Sequence, residues 1–247
     1  MKLLHAELLK IRTAPRTVLG LVLALIGLMV VGSGSTASSP EDVIVGLGLV
    51  EYDLLGVAAL STIFTLILGI LIVTWEYRHG TITQTFLATP RRERVVGAKL
   101  VVALASGAVL TALAILTVFA VALIWIEVDL SRGHWELIGR HLLAGALWGA
   151  LGCGLGALVQ TQVGAIVIAF VWFLLAEPLL GVRFDDVADF LPGATLERLL
   201  DNPVTTNETG ERPDFPYGLG TAAALAALYA AGFAALGVAS AVRRDVT

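Results

Sequence analysis

The sequence predicts an all-α integral membrane protein. It reads as a single transmembrane domain over residues 1–247 with six spanning helices, an N-terminal amphipathic interfacial helix, and both termini cytosolic. Three observations carry this. Hydrophobic residues make up 57% of the chain and charged ones 15%, with mean hydropathy +0.87, so a soluble fold would lack the polar groups to cover its surface. Long intervals carry no charge, and one bilayer crossing takes about 20 apolar residues. Threading the chain through six crossings from an inner N-terminus also puts eleven of the 16 Lys and Arg on the inner side, as the positive-inside bias requires. Five crossings would put Arg243 and Arg244 outside, against that bias. Lipid offers the backbone no hydrogen bonds, so each span must be a helix.

Residues 1–15 are basic at Lys2, Lys10 and Arg12, and Leu4, Leu8 and Ile11 share a face. That pattern predicts a helix lying on the inner membrane surface with its cations near anionic headgroups. Pro15 breaks it from the first span. A cleaved signal peptide is the rival reading, and Glu7 and the amphipathic spacing speak against it. Residues 17–40, 54–75 and 100–126 are charge-free and form the first three spans. Residues 142–176 carry no charge over 35 positions, too long for one crossing at about 1.5 Å per residue. Gln160-Thr161-Gln162 divides this run into a hairpin of residues 142–159 and 163–181. A polar loop is expected before it, holding His134, Glu136 and His141 without the makings of a metal site.

Residues 182–216 form the one long outer loop. Within it residues 191–200 predict a short re-entrant or interfacial helix, with Leu196, Leu199 and Leu200 on one face. The remainder is polar and turn-rich. Residues 217–242 are the sixth span. Small residues mark the packing faces: Gly145 and Gly149, Gly152 and Gly156, then the ridges Ala222-Ala226-Ala230-Ala234 and Ala223-Ala227-Ala231-Ala235. Trp75, Trp125 and Trp135 sit near expected interfaces.

Residues 76–99 join the second and third spans on the inner side. They carry Arg78, Arg91, Arg92, Arg94 and Lys99 together with their own helix punctuation. Gly80 suits a left-handed helix end. Thr81 with Gln84 forms a capping box, and Thr89 before Pro90 is a second N-cap. Ile82 and Phe86, at i and i+4, make an apolar pair ringed by arginines. A short capped helix held between two span ends reads as a handle for a soluble partner. The plainer alternative is a solvated positive loop bound to nothing.

No Gly-x-x-x-x-Gly-Lys-Ser/Thr, Gly-x-Ser-x-Gly or His-Glu-x-x-His occurs, so no ATP-binding or hydrolytic machinery is expected in the chain itself. The single Cys153 excludes an intrachain disulfide. No metal site and no nucleic-acid partner are expected. Glu177, just before Pro178, is the one acid inside a span. It reads as an interface anchor, with substrate contact or proton coupling as the alternative. Phe64, Trp172 and Phe173 line an apolar path in one reading and fill aromatic core in the other.

Glu76-x-Arg78-x-Gly80-Thr81, followed by Leu87, Pro90, Arg91-Arg92 and Lys99, resembles the cytosolic loop of type-two ABC exporter permeases of bacteria. The order of parts along nearly the whole chain is similar too, as is the segment Phe190-Leu191-Pro192-Gly193-Ala194. The resemblance implies the membrane subunit of an ATP-driven exporter in the bacterial cytoplasmic membrane. It would pair with a second copy or a related permease. Two cytosolic ATPase subunits would dock beneath, carrying the ATP and Mg that this chain does not bind. Residues 81–88 would be the coupling helix, with Ile82 and Phe86 as knobs and with Glu76, Arg78, Gly80, Thr81, Pro90, Arg91, Arg92 and Arg94 around it. The cargo would be a small amphipathic compound such as a drug, antibiotic or lipid-like molecule. Two other readings stay open: a membrane anchor or sensor that recruits a partner without transport, and a proton-coupled carrier.

Overall fold

The computed structural model describes residue 7 and residues 15–38, 50–82, 92–201 and 215–243. Among these, every regular element is helical. Helix α1 (Pro15–Ala37) is the first span, and α2 (Val50–Ala59) with α3 (Ser61–Arg78) make the second. Helices α4 (Arg92–Ala122) and α5 (Arg132–Val159) are the third and fourth. The fifth is composite: α6 (Gln162–Val171), a π-helical turn at Trp172–Ala176, and α7 (Glu177–Arg183). Two short helices, α8 (Asp185–Ala188) and α9 (Pro192–Leu200), precede the sixth span α10 (Leu219–Arg243). Among the described residues six helices are therefore long and apolar enough to cross a membrane, and the protein is multi-pass.

The number and order of spans match the charge-free intervals, but three starts differ, the third because α4 begins at Arg92 and takes Arg94 and Lys99 into its first turns. The second span begins at Val50, because Glu51 and Asp53 sit in its first turn, where the positive end of the helix dipole favours acids. Glu51 also accepts the Asp129 N–H at 3.2 Å. The fourth span begins at Arg132, so the polar loop expected at His134–His141 is helix instead. A reciprocal box starts it: His134 Nδ1 lies 2.9 Å from the Ser131 N–H and 3.1 Å from its hydroxyl. His141 is buried about two turns further on along roughly the same face, its ring nitrogens 2.9 Å from Leu137 O and 3.0 Å from Leu55 O. The hairpin turn falls where expected, with Gln160 left-handed at φ 63°.

Helix α5 is the axis of the bundle. Its apolar window is 72% buried, against 17% for the first and fifth spans. It reaches this depth because glycines remove side chains where backbones meet. A Cβ added at Gly152 would stand 2.1 Å from Leu66 O, and one at Gly149 2.7 Å from Ala103 O. On the facing helices, one at Gly69 would stand 2.0 Å from Gly149 O and one at Gly107 2.3 Å from Gly145 O. At Gly154 it would meet Ala234 N at 2.6 Å. Helices α3, α4 and α10 are thus drawn onto α5 at near-backbone contact, the close approach that small residues allow in lipid. Of the two alanine ridges on α10, Ala222, Ala230 and Ala234 turn inward and are buried, whereas Ala227, Ala231 and Ala235 are exposed.

Two spans are interrupted, each for a local reason. At Leu60 the second span breaks, and hydroxyls take up nearby backbone carbonyls: Thr62 Oγ1 donates to Ala59 O at 2.7 Å and Thr65 Oγ1 to Thr62 O at 2.8 Å. In the fifth span Pro178 cannot donate to the helix and crowds the preceding turn. The turn ahead of it widens, so the Glu177 N–H reaches back five residues to Trp172 O.

Gly152→Val should prevent α3 from seating on α5 and cost about 1–3 kcal/mol or more through overpacking against fixed backbone. Gly27→Val, at a position with nothing within 4 Å, should leave the thermal midpoint in detergent unchanged. Equal midpoints for the two variants would contradict the seam.

Candidate functional site

Two regions concentrate polar chemistry, one at each end of the bundle. At the first end, α3 closes in a Schellman arrangement. The Gly80 N–H bonds Tyr77 O at 3.3 Å, the Thr81 N–H bonds Glu76 O at 3.0 Å, and Gly80 is left-handed at φ 65°. His79 stacks on Trp75 with ring centroids 4.4 Å apart, and its Nδ1 lies 2.9 Å from Trp75 O. The chain thus leaves the second span in a fixed direction set by residues 76–81. Arg78 Nη1 donates to Gln162 Oε1 at 3.2 Å, tying this end to the turn between the fourth and fifth spans.

Beneath that turn lies a buried ionic cluster. Lys99 Nζ is 2.6 Å from Glu76 Oε1 and 2.7 Å from Glu7 Oε2, with side-chain exposures of 1%, 4% and 2%. A fully buried lysine persists only when paired, because desolvation costs several kcal/mol per ion and Coulomb attraction must offset it at short range. One ammonium therefore joins the last turn of α3, the second turn of α4 and a residue of the N-terminal segment. The roots of the connection between the second and third spans cannot part without exposing unpaired charge.

At the opposite end, Glu177 performs a task that its sequence position did not show. Its Oε1 accepts the N–H groups of Gly193 (2.6 Å) and Ala194 (3.2 Å), and Oε2 accepts Trp172 Nε1 at 3.1 Å. These amides are the orphan donors of the first turn of α9, whose N-cap Leu191 has no side chain to offer them. The sequence Leu191-Pro192-Gly193-Ala194 suits this. Pro192 at the first helical position gives up no donor, and a Cβ on Gly193 would sit 2.6 Å from Glu177 Oε1. The leucines of α9 do share a face, but that face is turned onto the bundle: Leu199 is buried with Ala144 and Ala222. Between α3, the fifth span and α9 lies a cavity of about 530 Å³, lined among others by Ile63, Leu66, Trp148, Phe173, Glu177, Asp189 and Glu197. Trp148 meets Phe173 edge-on at 4.7 Å. Burial pushes the Glu197 carboxyl up from its ordinary range, and the charges of Asp201 and Asp189 push it the same way.

The residues singled out from sequence meet different fates. Glu76 is buried in the ionic cluster, while Arg78, Gly80, Thr81 and Arg94 are exposed at the same end. Ile82, expected as an exposed knob, is 5% exposed and packs on Val95 and Tyr77, because the Gly80 turn folds the chain back over the base of α4. Phe86, Pro90 and Arg91, the side chain of Arg92, and the amphipathic helix expected over residues 1–15, Glu7 and Pro15 apart, lie outside the described residues. Phe173 and Glu177 line the cavity, and Trp172 touches it only through Glu177. Phe64 points away, against the cluster of α1, α2 and α4. His134, Glu136 and His141 do not converge, and among the described residues no group of three metal-ligating side chains forms.

Sequence reasoning missed the joining of Lys99 to Glu7 and Glu76. The available signal was a single acid inside a basic segment, plus opposite charges at the roots of adjoining spans. Lys99→Met should lower stability by about 3–5 kcal/mol, the cost of orphaning buried partners, and Lys99→Arg by less, read as thermal unfolding in detergent. Glu177→Ala should cost about 1–2 kcal/mol, as for a lost cap, and speed hydrogen exchange at residues 193–195. Neither any known protein-family model nor any curated protein matches this chain.

Proposed function

We propose that the chain is the membrane-spanning permease of an ATP-driven exporter, non-catalytic itself and resident in the bacterial cytoplasmic membrane. Two cytosolic ATPase subunits would bind the ATP and Mg, a second permease copy or a related one would complete the pathway, and a small amphipathic compound would be the cargo. The observation that carries the reading is the base from which residues 76–99 emerge. A capped turn at Gly80 and the Glu7–Lys99–Glu76 cluster fix both roots of this connection and the N-terminal segment to one another. A force applied there by a partner is passed to two spans as one rigid body, since packed interiors switch between discrete arrangements instead of deforming smoothly. The glycine seam then hands that motion to α5. With Ile82 buried, contact with the partner falls to Phe86 and the surrounding arginines. The cavity lies between the second and fifth spans, where a path through the protein would have mobile walls: the fifth span is sparsely buried and broken by a π-turn.

Affinity purification of the protein from its native membrane should bring down an ATPase chain. Phe86→Ala and Arg91→Glu should lower cargo-stimulated ATP turnover at least about tenfold, in line with the loss of interface hot-spot residues, while leaving folding unchanged. Wild-type turnover in both variants with export intact would overturn the assignment of this loop. Export that collapses with the proton gradient at constant ATP would overturn the energy source.

A further inference from the structure

The cavity between α3, the fifth span and α9 has an apolar lining that carries three acids. Ile63 and Leu66 line it from α3, and Phe173 and Glu177 from the fifth span; Asp189 and Glu197 line it from the segment of α9, beside Leu191 and Leu196. Its volume of about 530 Å³ falls within the ~300–1,000 Å³ usual for small-molecule sites. Among the described residues that line it there is no Lys, Arg or His. Three arginines of this end are directed elsewhere. Arg198 pairs with Asp201 at 2.8 Å, Arg140 donates to Asp201 O at 3.3 Å, and Arg183 lies over the Phe184 ring at 5.3 Å.

The three acids are not equivalent. Glu177 is committed to the amides of α9 and the indole of Trp172. The carboxylates of Asp189 and Glu197 have no hydrogen bond or ion pair among the described residues. Two acids at the rim of an apolar hollow, with no basic side chain lining it, set a negative potential that low-dielectric walls focus rather than screen. Packing alone does not call for this, because the walls would bury as much apolar area with neutral residues in those places.

We infer that this cavity binds a small amphipathic organic cation, with its apolar body against Ile63, Leu66 and Phe173 and its cationic head toward Asp189 and Glu197. A lipid acyl chain would fill the apolar wall and leave both carboxylates unanswered, and an anion of the same shape would be repelled. As a class of cargo this rests on the export reading; as a binding site it stands apart from that reading.

The test uses the purified full-length chain in detergent with two probes of matched shape and opposite charge, tetraphenylphosphonium and tetraphenylborate. The cation should bind saturably and the anion should not. The double variant Asp189→Asn/Glu197→Gln should weaken the cation about fivefold or more, as expected when two partly exposed ion contacts of up to ~1 kcal/mol each are removed. Ile63→Trp, which fills the hollow from a half-exposed position, should abolish binding while the thermal midpoint holds. Equal affinity for the two ions, wild-type affinity in the double variant, or a co-purified phospholipid that the cation fails to displace would overturn the proposal. If no ATPase associates with the protein and the cation still binds with this selectivity, the export reading fails and the site remains.

Discussion

The structure depends on backbones touching where side chains have been removed. In lipid, burying a leucine against another helix gains little over burying it against an acyl chain, so association rests on close van der Waals contact. Helix α5 meets that demand with Gly145, Gly149, Gly152, Gly154 and Gly156, each placed where the backbone or a short side chain of a neighbour arrives within 3 Å of the missing Cβ. Once α3, α4 and α10 are fixed on this axis, the remaining spans have their places. Helix α1 covers the outer flank of α3 and α4, and the fifth span leans on the face left open. Burial falls from 72% at α5 through 56% and 44% at the second and third spans to 17% at the first and fifth, with the sixth at 22%.

Much of this could be read from the chain, because membrane crossing is a coarse constraint. Charge-free length decides where a span lies, and Gln160-Thr161-Gln162 had to be a turn since no helix of 35 residues fits one crossing. Gly80 was legible because only glycine takes up the left-handed region cheaply. The ends of the second and fourth spans were not. Acids and histidines count against a span on hydropathy, yet Glu51 and Asp53 favour a helix start, and His134 and His141 find partners that no one-dimensional pattern records. The candidate sites were less legible than the fold for the same reason. Glu177 looked like a headgroup anchor because the amides that it caps are sixteen residues away in sequence. Ile82 looked exposed because a helical wheel cannot show the chain folding back on itself.

The two ends of the bundle use charge in opposite ways. At the Glu76 end the ions are buried, paired at 2.6 and 2.7 Å, and hold three segments together. At the Glu177 end one carboxylate holds α9 in place, and two more are left facing a hollow. Buried, satisfied charge resists motion, since separation exposes it; unanswered charge waits for a counter-ion. A protein driven at one end and loaded at the other would need that division.

The widened turn at Trp172–Ala176 carries a consequence for what the fifth span can face. In a regular helix each four-residue step overshoots a full revolution by about 40°. Ala165, Ala169, Phe173 and Glu177 would then wind away from one another around the rod. The slacker winding ahead of Pro178 takes back part of that overshoot. The alanines seated on the bundle, the aromatic wall and the carboxylate that caps α9 are thus brought nearer to one line along the span. One proline thereby sets the angular phase that lets a lightly buried rod be rooted at one end and reach a distant cap at the other.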